Sequence, residues 1–238
     1  MAVKQVQGLI TVQVLTIEDG YEDVVSGRKF TKSSDWSDRW KLGFQYCAER
    51  GATPLTLDDT VWFRHDTGGM DYSDERQLTG TFIGLVSDGR AGLRAHVYDP
   101  SAEELLDIAK SFGNDDRYVD VAQGSVLERK FVDGGRTFPV PANDLVLSVE
   151  ADASGKSVYS ENHGVRSLMP KNAATNAAII KGKGYDTGRV WFYHPALPKG
   201  TMRILPVGLG GVGCSDVYGI DADGNVDGGR ARGLVHGA

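Results

Sequence analysis

Short β-prone runs separated by Asp-Gly and Ser-Gly pairs are the feature that most constrains the fold of this chain. Three pairs of runs show the pattern: residues 81–86 with 93–98, 126–132 with 136–140, and 145–151 with 157–160. Such pairs between β-rich runs favour tight hairpin turns. Glycine occurs 31 times in 238 residues, about twice its average share, as a chain with many turns requires. We therefore expect many short, mainly antiparallel strands.

A first helix is predicted over residues 35–50. Ser34 or Asp35 can cap its start, and Gly51 follows its end. Four apolar residues fall at helical spacing and predict one buried stripe: Trp36, Trp40, Phe44 and Cys47.

A second helix is predicted over residues 101–112. Ser101 and Glu104 form a capping-box pattern, and Gly113 ends the run. A shorter third helix over residues 171–180 follows Pro170. Strands do not alternate regularly with helices, which argues against a parallel doubly wound sheet. The sequence predicts an α+β protein, mostly an antiparallel β sandwich or barrel with two or three packed helices.

Charge and cysteine content exclude several classes of protein. The net charge is −6 and no basic patch interrupts the sequence, which disfavours direct nucleic-acid binding. The two cysteines, Cys47 and Cys214, do not form a disulfide framework. Residues 8–17 read as a β-strand and not as a signal peptide, and no run has the roughly 18 apolar residues of a spanning helix. We expect a cytoplasmic or virion protein without membrane contact.

A short motif occurs twice in the chain. Val61-Trp62-Phe63-Arg64-His65 returns as Val-Trp-Phe-Tyr-His at 190–194. Duplication would divide the chain into related halves of about 1–120 and 121–238, whereas chance matching of an aromatic pattern leaves one unit. No low-complexity linker separates the halves, so we expect a single compact domain over residues 1–238.

Asp-Thr-Gly also occurs twice, at Asp66 and at Asp186. Aspartic proteases resemble this pattern, since two such loops in that family bring two carboxylates together to activate water. In that family the residue before each aspartate is apolar, whereas His65 and Tyr185 stand there in this chain. The departure favours two ordinary turns.

Two further motifs fail in context. Residues 208–213 match G-x-G-x-x-G, but the following residues lack the helix of a dinucleotide fold, and only 25 residues remain after the motif. Gly155-Lys156-Ser157 ends like a P-loop, but Glu150 occupies the required glycine position. We expect no cofactor.

Asp223, Asn225 and Asp227 alternate as the first ligands of an EF-hand loop do. Leu234 stands where the bidentate glutamate belongs, and no flanking helices are predicted. A hairpin turn explains the same residues. The five histidines show no zinc-ligand spacing, so we expect no metal beyond this weak calcium candidate.

Two functions remain from this pattern. We expect a non-enzymatic structural or interaction protein that self-assembles, as the capsid, decoration and tail proteins of virions do. Its partners would be further copies or other assembly subunits, and the sparsely apolar C-terminus would dock on a neighbouring subunit. The alternative is a small hydrolase whose site is assembled from His65, Asp66, Asp186 and His194.

Overall fold

The computed structural model describes residues 14–37, 39–87, 92–112, 118–140, 145–191, 197–211, 216–219 and 229–236. The strands are β1 Val14–Ile17, β2 Gly20–Asp23, β3 Lys29–Thr31, β4 Ala52–Pro54, β5 Gln77–Ser87, β6 Leu93–Tyr98, β7 Val119–Ala122, β8 Arg136–Val140, β9 Leu145–Ser148, β10 Thr187–Trp191, β11 Thr201–Leu209, β12 Asp216–Gly219, β13 Arg230–Ala231 and β14 Gly233–Val235. The α-helices are α1 Trp40–Ala48, α2 Leu57–Thr67, α3 Ala102–Ser111, α4 Val126–Gly134, α5 Val158–Glu161, α6 His163–Leu168 and α7 Ala173–Gly182.

Two sheets organise these elements. A five-stranded sheet has the order β1-β2-β3-β14-β4, and the larger sheet has the path β8-β6-β5-β11-β12-β10-β9, with β13 beside β5 and β7 beside β11. All pairs are antiparallel except β10 with β12 and β5 with β13. The chain is therefore α+β with mainly antiparallel strands, as the turn pattern predicts. The described residues contain seven α-helices, more than the two or three expected.

The long strands β5 and β11 lie between two apolar cores. Ile83, Leu85 and Leu205 face a core formed with α2, α5, α6 and α7. Phe82 and Met202 point the other way, into a core formed with α1, α3 and α4. Alternate side chains of a strand point to opposite faces, so both faces of this pair are buried. The pair is thus a rigid support for the loops at its ends.

The C-terminal strand completes the N-terminal sheet of the same chain. β14 lies between β3 and β4, where Leu234 pairs with Phe30 and with Thr53. β13 pairs with the start of β5. The segment 229–236 is therefore ordered within its own chain, and its order supplies no argument for docking on a neighbouring subunit.

Two runs predicted as strands are helices. Residues 126–132 lie in α4, where the Ser125 hydroxyl accepts a hydrogen bond from the Glu128 amide and Phe131 is fully buried. Residues 158–161 form α5, capped by Ser157. In both cases the cap and the spacing of buried side chains outweigh the β-propensity of valine.

The first predicted helix is too long at its start. α1 begins at Trp40, and Trp36 lies outside it with 50% of its surface exposed. Residues 33–37 cannot extend helix α1 because backbone hydrogen bonds tie Ser37 to Gly229 and Ser34 to Ala231. The Ser34 hydroxyl accepts from the Ala231 amide and does not cap the helix.

The repeated aromatic motif takes two conformations. Val61 and His65 lie in helix α2, whereas Val190 and Trp191 end strand β10. The repeat therefore provides no structural support for two related halves. As for membranes, every helix among the described residues is too short or too polar to cross a bilayer.

Candidate functional site

Three neighbouring segments carry four side chains that we together call the loop face: Trp36, Met70, Tyr72 and Arg230. Trp36 and Tyr72 are 50% and 53% exposed, more than any other aromatic side chain described, and Met70 is 37% exposed. Large apolar side chains left this open on a folded chain indicate a contact surface when they cluster.

The loop that carries Tyr72 has an uncommon backbone. Gly68 and Gly69 open it with φ of 59° and 89°, which glycine adopts without steric penalty. Asp71 and Tyr72 follow with φ of 51° and 61°, and among the described residues no other non-glycine residue has a positive φ. A left-handed conformation costs a residue with a Cβ about 1–2 kcal/mol. Surrounding structure must therefore hold this loop in place.

A buried arginine holds the first of the two strained residues. The Arg232 side chain is 2% exposed. Its Nη2 lies 2.8 Å from both Oδ2 and the backbone O of Asp71 and 2.7 Å from Ser33 Oγ. The guanidinium also stacks 3.9 Å from the ring centroid of Phe63. Burial lowers the pKa of Arg232, and the Asp71 carboxylate opposes that change.

A second buried arginine and a glutamine hold the rest of the loop. Backbone carbonyls that would otherwise face a protein interior need donors. Arg64 Nε donates to Ser73 O at 2.6 Å, and its Nη2 donates to Glu75 O at 2.8 Å. Gln77 Nε2 donates to Tyr72 O at 2.9 Å. Four carbonyls of the loop are therefore bonded to side chains from elsewhere in the fold.

Arg230 joins the segments of the loop face. Its Cζ lies 4.1 Å from the centroid of the Tyr72 ring, so one side of that ring is covered by a cation. Its Nε donates to Glu75 Oε2 at 2.7 Å, and its Nη1 donates to Ser34 O at 3.0 Å. The segment that carries Trp36 is thereby tied to the loop that carries Tyr72.

The hydrolase residues predicted from the sequence are only partly brought together. His65 Nδ1 lies 2.8 Å from Asp66 Oδ1, with side chains 41% and 16% exposed. Asp186 is 79% exposed and accepts a 2.6 Å hydrogen bond from Lys181 Nζ, which holds the pKa of Asp186 below its ordinary value. His194 lies outside the described residues.

The two Asp-Thr-Gly triplets do not form equivalent loops. The first ends helix α2, with Gly68 as its left-handed C-cap, and the second leads into strand β10. Two open clefts, of about 540 and 530 Å³, lie beside α4 and at the start of α3. Neither is lined by His65, Asp66 or Asp186. The hydrolase alternative stays a prediction without support from these clefts.

The calcium candidates Asp223, Asn225 and Asp227 lie outside the described residues. Within the described ranges, no three histidine, cysteine, aspartate or glutamate side chains form a group that could hold a metal ion.

Sequence reasoning missed the loop face. Trp36 reads as part of a buried helical stripe, and Met70 and Tyr72 lie in a segment without periodicity. The Gly68-Gly69 pair is the one local signal, since two consecutive glycines mark a turn that uses positive φ. Arg230 and Arg232, which help to hold the loop, lie 155 and 161 positions from the residues that they bind, and a local pattern cannot reveal such contacts.

Comparisons with known proteins identify a similar fold. No family model matches the chain, and no curated protein matches it either. A solved structure described as "Accommodation of massive sequence variation in Nanoarchaeota by the C-type lectin fold" is similar, with a TM-score of 0.58 and 12% sequence identity. The match covers 85% of this chain and 96% of that chain. This chain therefore has an α+β fold similar to the C-type lectin fold.

Proposed function

We propose that this protein is a binding protein that recognises another protein through its loop face. The observation that carries the proposal is the display of Trp36 and Tyr72, half exposed, on two segments that hydrogen bonds tie to the rest of the fold. Tryptophan, tyrosine, methionine and arginine are the residue types enriched at protein interfaces. The loop face consists of one of each.

The strain in the loop supports a role in recognition. Tyr72 has a left-handed backbone that glycine would adopt without penalty, and strained residues concentrate at ligand-binding and catalytic positions. Three acids of the loop are engaged in ion pairs, Asp71 with Arg232, Glu75 with Arg230 and Asp74 with Lys183 at 3.1 Å, which favours binding over acid–base chemistry there.

The similar fold is compatible with this role. The Nanoarchaeota structure is described as accommodating massive sequence variation. In this chain the core lies in β5, β11 and the packed helices, while the loop face lies on segments outside them. Such a scaffold allows the surface to change without loss of the core. Self-assembly and a place in a virion stay predictions, and a second copy of the chain is one partner to be tested.

A photo-cross-linking amino acid placed at position 36 or 72 tests the proposal in cells that make this protein. The matched control carries it at Leu106, which is 55% exposed on helix α3, outside the loop face. We expect one defined protein adduct from positions 36 and 72 and none from 106. The same products from all three positions, or none from 36 and 72, would contradict the proposal. A shifted band that contains only this chain would identify the partner as a second copy.

A further inference from the structure

Arg232 occupies a core position that an apolar side chain would be expected to fill with no loss of stability. Its side chain is 2% exposed, it lies against the Phe63 and Tyr21 rings, and its Nη1 has no hydrogen-bond partner among the described residues. A buried ion pair generally contributes no more stability than apolar side chains of the same volume. Stability of the fold alone therefore does not explain an arginine here.

Two hydrogen bonds of the Arg232 side chain go to one residue, Asp71. Its Nη2 reaches both the carboxylate and the backbone carbonyl of Asp71, a residue whose φ of 51° and ψ of 49° are left-handed. Ser33 binds the same two groups of Asp71: its amide lies 2.6 Å from Asp71 Oδ2, and its hydroxyl donates to Asp71 O at 2.8 Å. These four contacts thus hold the carboxylate and the carbonyl of Asp71 in one arrangement, with the residue left-handed.

We propose that Arg232 is a positioning residue for the loop face: it holds Asp71 and Tyr72 in their left-handed conformation and so presets the Tyr72 ring for its partner. Arg232 itself does not reach the surface. A preset surface binds more tightly because ordering of the loop does not oppose association. The role in binding rests on the proposed function, whereas the conformational lock is measured on the protein alone.

Amide hydrogen exchange of the full chain in D₂O, with no partner added, tests the lock. The Ser73 amide donates to Met70 O at 3.1 Å and the Glu75 amide to Tyr72 O at 2.9 Å, so both amides report opening of the loop. In R232M and R232K we expect these two amides to exchange at least tenfold faster. Amides of the β5–β11 pair should change less than threefold, because local opening differs from global unfolding.

Asp71 variants serve as matched controls and keep the test valid if R232M does not fold. Asparagine tolerates the left-handed region and retains a carbonyl oxygen, whereas alanine does neither. The exchange rates of the Ser73 and Glu75 amides in D71N should therefore stay closer to those of the wild type than the rates in D71A do. Unchanged exchange at Ser73 and Glu75 in R232K, or equal acceleration throughout β5 and β11, would overturn the lock. Both results are independent of the cross-linking experiment, so either proposal can fail alone.

Discussion

Substitution of Tyr72 by glycine and by alanine tests whether the loop is strained. Tyr72 has a φ of 61°, where a Cβ costs about 1–2 kcal/mol. Glycine removes that penalty, but its greater conformational freedom stabilises the unfolded chain by about 0.4–1 kcal/mol. Both variants lose the ring and its contact with Arg230 equally. We therefore expect Y72G to be more stable than Y72A by about 0.5–1 kcal/mol.

Urea and thermal unfolding measure this difference. For a chain of this length, 1 kcal/mol corresponds to roughly 2–4 °C in Tm. The matched pair L106A and L106G lies at an exposed position within helix α3, where alanine should be the more stable by about 0.5–1 kcal/mol. The order of glycine and alanine should thus invert between positions 72 and 106. If the alanine variant is the more stable one at both positions, the backbone of Tyr72 is not strained as described.

Three further outcomes are expected elsewhere in the fold. Arg203, 5% exposed, is held at 2.7 Å by the Asp120 carboxylate, so D120A should lower the free energy of unfolding by about 2–4 kcal/mol, as measured in urea, because the buried cation loses its carboxylate partner. Burial and the charge of Arg94 lower the pKa of His96, so the unfolded chain binds a proton at this residue more readily than the folded chain does. The free energy of unfolding should therefore be highest above about pH 6.5 and fall as the pH drops below that value. H96Q should flatten this dependence in unfolding curves measured between about pH 5 and 7.5. Burial raises the pKa of Cys47 to about 12, so in a C214S background the native protein should not react with a thiol reagent at pH 8 and should react once unfolded; fast native labelling would contradict the burial of Cys47.

Sequence patterns predicted those elements whose signals are local. Ser101 and Glu104 are three residues apart, and their reciprocal bonds form the capping box of α3. Residues 93–98 form a strand with the predicted limits. The limits of α1 and the identity of α4 depended on distant contacts instead. Trp36 is kept out of α1 by the C-terminal segment, and Phe131 fixes α4 by packing against Tyr98 at 5.0 Å between ring centroids.

The candidate site was beyond reach of the sequence for a related reason. The conformation of Tyr72 depends on the bonds of Asp71 to Arg232, which is 161 positions away in sequence. A left-handed tyrosine has no local signature, and propensity would place such a residue in a strand. Conversely, the Asp-Thr-Gly pattern looked specific but occurs in a helix end and a strand start. Short motifs acquire meaning only from the elements that carry them.

The affinity of the cross-linked partner, once purified, for variants of the loop face tests the central claim most directly. Truncation of a central aromatic anchor typically costs 2 kcal/mol or more of binding free energy, about a thirtyfold change in Kd. By isothermal titration calorimetry, W36A and Y72A should each weaken binding by at least tenfold, whereas L106A, an equally exposed position, should bind like the wild type. If W36A and Y72A bind as tightly as L106A, the loop face is not the recognition surface of this protein.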